Sequence, residues 1–147
     1  MNDANLEETA VGEVAVVERF VKAINAHDLD AFVDCFDPHY QSEQPAYPNR
    51  AFGGNEQVRR NWSTFFTEVP DIQADLLRTA VDDGTVWAEL RIHGTRRDGS
   101  AHDFRGVIIH GIRQDRIVWA RLYLQEVEQQ GEDIDEAVRR MAKIQED

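Results

Sequence analysis

The sequence predicts an α+β domain in which three helices precede a long, curled antiparallel sheet and a last helix closes the chain. Three observations carry this. Apolar residues recur at helical spacing through Val14, Val17, Val21 and Ile24, with Phe20 beside them. From Ile72 onward, alternating runs are separated by Asp83-Gly84, Asp98-Gly99 and Gln114-Asp115. The two Asp-Gly pairs are strong hairpin signals, because a type I′ turn needs positive φ at both central positions. Between the two regions Pro45, Pro48, Gly53-Gly54 and Pro70 punctuate the chain.

The first helix is expected over about residues 7–26 and breaks at Asn25-Ala26-His27-Asp28. Asp28 is a natural N-cap for a second helix running to about Phe36, with Pro38 beyond its end. Tyr40 to Gln44 alternates weakly and suggests a short edge strand. Two prolines make Pro45 to Arg50 a loop, since a sheet interior cannot spare their missing N–H groups. The third helix is expected from Asn55 to Glu68 and is stopped by Pro70. Four strands follow, at about Ile72–Val81, Thr85–Thr95, Ala101–Ile112 and Arg116–Val127. A final helix over about residues 132–145 carries Ile134, Val138 and Met141 on one side. Strands near ten residues long curl strongly. A curled sheet capped by helices encloses a pocket.

Length favours a single domain over residues 1–147, with a core at about 7–128. A net charge of −12 disfavours nucleic acid, whose phosphates call for a basic surface. No apolar run approaches a membrane span, and the polar opening Met1-Asn2-Asp3-Ala4-Asn5 is unlike a secretion signal. The single cysteine, Cys35, fits a reducing, cytoplasmic setting and sits on an apolar face with Phe32 and Phe36. Without secretion, the sequon Asn61-Trp62-Ser63 is accidental. No metal or cofactor is expected: the five histidines are dispersed, and Gly53-Gly54 lacks the lysine of a phosphate loop.

Hairpin register assigns the sheet faces. With Asp98-Gly99 as a two-residue loop, Arg97 pairs with Ser100; likewise Arg113 pairs with Arg116. The face meeting the helices then collects Leu77, Val81, Val86, Leu90, Ile92, Val107, Ile109, Val118, Leu122 and Leu124. At one end Asp75, Asp103, Arg105 and Glu126 fall on this face, with Asp103 opposite Glu126: either an acid–base group at a pocket mouth or a solvated rim of ion pairs. The other face mixes Trp87, Phe104, Ile108, His110, Trp119 and Tyr123 with Arg, Glu and His. Aromatic and arginine enrichment suggests an interface, and a homodimer through this outer face is expected.

The segment Val16–Phe36, with its helix, Asn-Ala-His-Asp break and second short helix, resembles the opening of the nuclear transport factor 2-like superfamily, which includes ketosteroid isomerase and the SnoaL-like polyketide cyclases. The similarity to ketosteroid isomerase runs from Val16 to about Phe65 and resumes over the last two strands. It implies a cone-shaped, cystatin-like fold around one pocket and, in many members, a dimer. The isomerase uses a tyrosine and a protonated aspartic acid as oxyanion donors and an aspartate as base. By position these fall on Phe20, Ile109 and Gln44, none of which performs the corresponding job. Glu43, beside Gln44, is turned to the opposite side by strand alternation. A pocket-lining aromatic falls on Trp62. SnoaL-like cyclases end their last strand with an aromatic and an acid, where this chain has Tyr123-Leu124-Gln125 and then Glu126. Asp103-x-Arg105 with Glu126 has ingredients similar to the Asp–Arg–Asp group of limonene epoxide hydrolase, at non-matching positions.

Two functions remain open at this stage. One is a SnoaL-like enzyme, of cyclase, isomerase or hydrolase type, with Glu126, Asp103 and Arg105 as its acid–base group. The other is a non-catalytic ligand-binding or dimeric interaction domain. Both place a small hydrophobic molecule among Phe20, Trp62, Leu90, Ile109 and Leu124, with Tyr40 and Gln44 as neutral polar contacts.

Overall fold

The structure, a computed structural model, describes residues 3–143, with side chains from residue 12 onward. Its order is α1 (Asp3–Ala26), α2 (Leu29–Asp34), β1 (Phe36–Glu43), a 3-10 turn (Pro48–Arg50), β2 (Phe52–Gly53), α3 (Asn55–Glu68), β3 (Gln73–Asp82), β4 (Thr85–Thr95), β5 (Ala101–Arg113), β6 (Arg116–Glu126) and α4 (Ile134–Met141). The six strands form one sheet in the order β2-β1-β6-β5-β4-β3. The four long strands make the expected antiparallel meander, and β1 joins it parallel to β6.

Helix α1 lies against β3 and buries Val16, Val17, Phe20, Ala23 and Ile24. Its end is fixed by polar contacts. The Asn25 amide accepts from Ala74 N–H at 2.7 Å and donates to Ala74 C=O at 3.0 Å, joining helix to sheet by both groups of one side chain. His27 takes positive φ and brings Nε2 to 2.8 Å from Ile72 C=O. Asp28 then caps α2, accepting from Ala31 N–H at 3.0 Å. Phe32 from α2 and Val58 from α3 complete a core that meets the inner face of the sheet at Val86, Ala88, Leu90 and Ile92.

Several boundaries move. Helix α2 stops at Asp34, capped at Cys35, so Phe36 and Pro38 belong to β1. That strand has eight residues and begins four residues before the expected edge, and the outermost strand is β2. Helix α4 is shorter than expected, and residues 144 and 145 of its predicted span lie outside the described residues. Ile134, Val138 and Met141 are exposed.

The largest correction concerns register. Asp83-Gly84 and Gln114-Asp115 turn with positive φ at both positions, as type I′ hairpins require. Asp98-Gly99 instead belongs to a three-residue loop. Gly99 N–H donates to Arg96 C=O and Arg96 N–H to Ser100 C=O, each at 2.9 Å, with Gly99 at φ +86°. This is a type I turn closed by a left-handed glycine, so Thr95, not Arg96, pairs with Ala101. A slip of one residue reverses every side chain of β5. His102, Phe104, Ile108 and His110 therefore face the helices, with Gly106 in their row, while Asp103, Arg105, Val107 and Ile109 face outward. Phe104, not Asp103, lies opposite Glu126.

Two bulges make smaller changes. One between Leu76 and Arg78 turns Leu77 outward, where it is 56% exposed. The other, at Val118, lets Ile117 and Ala120 share the buried face. Bulges also bend the strands that carry them. Gly106 adds to the irregularity: at φ +150°, a Cβ there would lie 2.2 Å from Tyr123 C=O. Only glycine lets β5 and β6 approach so closely at this point.

Candidate functional site

Between α1, α2, α3 and the concave sheet lies a cavity of about 480 Å³. Its walls are rings in mutual contact. Phe32 stands 5.0 Å from Phe20, 5.2 Å from Phe36 and 4.6 Å from Trp62, centroid to centroid, and Phe36 is 4.8 Å from Tyr40. Tilted and edge-on contacts of this kind suit the ring quadrupoles and hold the wall rigid. Ile92, Ile108, Leu122 and Leu124 supply the sheet side. Burial is deepest around Phe20, Phe32, Phe36 and His110, and falls toward Arg50, Thr64 and Phe65, which mark the open side.

Polar groups in the lining are few. Strand β1 contributes Tyr40 and Ser42, and Gln44 follows it. Burial pushes the Tyr40 phenol up to about 12, against a hydrogen bond with Ser42 that favours ionisation. The phenol is therefore protonated at neutral pH and available as a hydrogen-bonding group. Gln44 accepts from Arg50 at 3.2 Å, and the Arg50 guanidinium lies 3.8 Å above the Tyr47 ring. From α3, Asn61 faces the cavity while accepting from Gln57 at 2.8 Å. Among the described residues no aspartate or glutamate lines the cavity.

Two histidines do, at opposite ends of the inner row of β5. His102 is buried between Phe65 and Phe104, at centroid distances of 5.7 and 4.7 Å. Desolvation lowers its pKa, helped by Arg96 and opposed by Glu126 and Asp103. His110 is 1% exposed, 5.4 Å from the Phe20 ring, and neither ring nitrogen has a hydrogen-bond partner. Burial alone drives its pKa down to about 3. Both imidazoles are neutral at pH 7.

A family model for the SnoaL-like domain matches residues 17–120. The chain belongs to the SnoaL-like domain family. Among solved structures it is similar to Bal32a from a soil-derived mobile gene cassette, at 23% identity and TM-score 0.67, covering 78% of this chain and 90% of that one. It also resembles an LEH-like epoxide hydrolase of M. tuberculosis, at 15% identity and TM-score 0.69, with 80% and 85% covered. A third likeness is to a protein of ketosteroid isomerase-like fold from Catenulispora acidiphila DSM 44928, in complex with trimethylamine, at 12% identity and TM-score 0.63, with 72% and 82% covered. At these identities the likeness is one of fold. No curated protein sequence matches the chain.

Within this SnoaL-like domain, Phe20, Tyr40, Gln44, Trp62 and Leu124 line the cavity. Leu90 is fully buried in the core beneath the cavity and does not line it. Ile109 is on the outer face, paired with Trp87 and Arg121, because of the β5 slip. The acid–base group does not converge. Asp103 is on the outer face, 3.2 Å from Arg91 and 3.6 Å from Arg105. Burial works to raise its carboxyl, but the hydrogen bonds and charges of Arg91 and Arg105 outweigh this and hold it below the ordinary range. Glu126 ends the inner row of β6, 58% exposed and 3.3 Å from Arg96. Neither Glu126 nor Arg105 lines the cavity.

His102 and His110, with Phe104 and Ile108, were hidden from the sequence by the assumed two-residue turn. A signal existed. Gly106 in mid-strand is the kind of residue that marks irregular pairing, and an Asp-Gly pair also suits the end of a three-residue loop. Among the described residues no group of three His, Cys, Asp or Glu is arranged to hold a metal ion, and no helix is long and apolar enough to cross a membrane.

Proposed function

We propose that this SnoaL-like chain binds a small, largely apolar molecule in its cavity. The observation that carries this reading is an aromatic-walled cavity of about 480 Å³, open on one side, with no carboxylate among the described residues of its lining. Ligand sites of a few hundred Å³ with apolar walls and a few placed polar groups are the usual design for drug-sized molecules. The rings provide area and stacking; Tyr40, Ser42 and Gln44 orient the guest. The test is 1:1 binding of 8-anilinonaphthalene-1-sulfonate, followed by fluorescence, with Ile108→Trp as the cavity-filling control. Binding that disappears in a folded Ile108→Trp variant is expected. Equal binding by that variant would place the probe elsewhere and defeat the reading.

A second reading, catalysis of cyclase, isomerase or hydrolase type, is supported by one observation: His102 is neutral, buried and part of the cavity wall. An imidazole that is free of its proton can take one from a bound substrate. Proton transfer by His102 would replace the carboxylate chemistry that Gln44 and the outward-facing Asp103 do not offer. His102→Gln should then abolish turnover of a polyketide or epoxide substrate with little change in binding.

The homodimer belongs to the same proposal. Leu77, Trp87 and Tyr123 are exposed large side chains on the outside of the sheet, 56%, 38% and 46% accessible. A reducing, cytoplasmic setting would keep buried Cys35 a thiol.

A further inference from the structure

Among the described residues of the cavity lining Arg50 is the one arginine, and it stands on the open side, in the 3-10 turn that follows β1. Two contacts fix its guanidinium. It lies 3.8 Å above the centroid of the Tyr47 ring, and one N–H donates to Gln44 Oε1 at 3.2 Å. Neither partner carries a charge. Arginines elsewhere find carboxylates: Arg59 meets Asp30 at 2.7 Å and Arg121 meets Glu43 at 3.5 Å. Among the described residues no carboxylate pairs with Arg50, although the chain has 28 acidic side chains against 16 basic ones. A guanidinium only donates, so the Gln44 carbonyl faces it and the amide NH2 is left as a second donor in the lining. The rim of an apolar cavity thus holds a positioned cation whose charge is not balanced by a neighbour.

We propose that the cavity takes an apolar carboxylic acid, with its hydrocarbon body inside and its carboxylate at the mouth on Arg50. This rests on the reading that the cavity binds a small, largely apolar molecule, and it names the class and the direction of that guest. The direction follows from the lining. Phe32, Trp62, Ile108 and Leu122 offer no partner to a charge, and both histidines of the wall are neutral at pH 7. A carboxylate sent in first would be buried unpaired. Turned the other way, it meets a planar fork of N–H groups, of which Gln44 occupies one, and the rest match the two oxygens of a carboxylate. Stacking on Tyr47 holds the guanidinium before the acid arrives, so little side-chain freedom is lost on binding. The net charge of −12 repels anions at a distance, so the acid gains only through direct contact with Arg50. A cationic amine meets the reverse, a positive charge at the rim and no aspartate or glutamate among the described residues of the lining.

The experiment compares tetralin-2-carboxylate with tetralin-2-carboxamide, which share a frame and differ by one charge. The ketone 1-tetralone, a similar bicycle with no ionisable group, is the control for the cavity itself. Binding is measured by isothermal titration calorimetry at pH 7. The wild type should prefer the carboxylate to the carboxamide by about fivefold, the size of an ion pair at the solvent-exposed edge of a site. Added salt should shrink that preference, because the pair is open to water. Arg50→Gln should bind the two compounds alike. Arg50→Lys, which keeps the charge and gives up the fork, should retain part of the preference. Arg50 is exposed, so neither substitution disturbs the core. Equal affinity of the wild type for both compounds, or a preference for the carboxamide, would overturn the assignment of an acid while leaving the cavity reading intact, provided that 1-tetralone binds. A preference that survives in Arg50→Gln would place the carboxylate elsewhere and overturn it as well. Failure of the wild type to bind any of the three compounds would overturn the cavity reading, and the acid with it.

Discussion

Replacing His110 with leucine should change how the protein responds to acid. The side chain is buried without a partner and its pKa is pushed down to about 3 by desolvation, from 6.5 in the unfolded chain. Between those two values the unfolded state binds a proton that the folded state refuses. Its contribution to stability is therefore full above pH 6.5 and is lost as the pH falls toward 3. Each pH unit inside the window costs about 1.4 kcal/mol, so acidification from pH 7 to pH 5 removes about 2 kcal/mol through this one residue. Over the full window the loss approaches about 5 kcal/mol, comparable to the stability of a small domain. The chain's net charge of −12 works the other way, since protonating carboxylates relieves repulsion. The clean measurement is thus a difference. Urea unfolding of wild type and His110→Leu at pH 7, 6 and 5 should show a gap that widens in favour of the variant by about 2 kcal/mol across the series. Parallel pH profiles would refute the reasoning, because they would mean that the imidazole protonates freely in the folded protein.

Other outcomes follow from the same structure. Gly106→Ala forces a Cβ to within 2.2 Å of Tyr123 C=O at φ +150°, and should cost at least about 2 kcal/mol in urea unfolding. Glu126→Gln alters an exposed side chain outside the cavity lining, so stability should change by less than about 0.5 kcal/mol and probe binding not at all. Loss of binding or turnover in that variant would restore the acid–base group. Trp87→Lys combined with Tyr123→Lys should sediment as a monomer at tens of micromolar where the wild type sediments as a dimer; a monomeric wild type would remove the dimer from the proposal.

The fold was legible because local signals agreed with one another. Helical spacing from Val14 to Ile24, the Asp28 cap and the Asp83-Gly84 turn each name one conformation, and none is contradicted by its neighbours. The site was only half legible, for a reason with a definite physical origin. Phe20 and Trp62 sit on helices, Tyr40 on β1 and Gln44 directly after it, where position along the element decides direction. The contribution of β5 depends on a count of residues in one loop, and the period of two in a strand turns an error of one into a complete reversal. Ile109 was expected inside and His110 outside; the three-residue loop closed by Gly99 exchanges them. The same exchange takes Asp103 out of the proposed acid–base group and puts two histidines into the cavity. The β6 bulge at Val118 was equally invisible, because it leaves the Gln114-Asp115 turn in its expected form and shifts pairing only beyond it.

The most direct measurement of the central claim is a crystal structure of the protein with 1-tetralone bound. The account predicts the bicyclic frame inside the cavity, between Trp62 and Ile108. A ligand bound outside the cavity would contradict it.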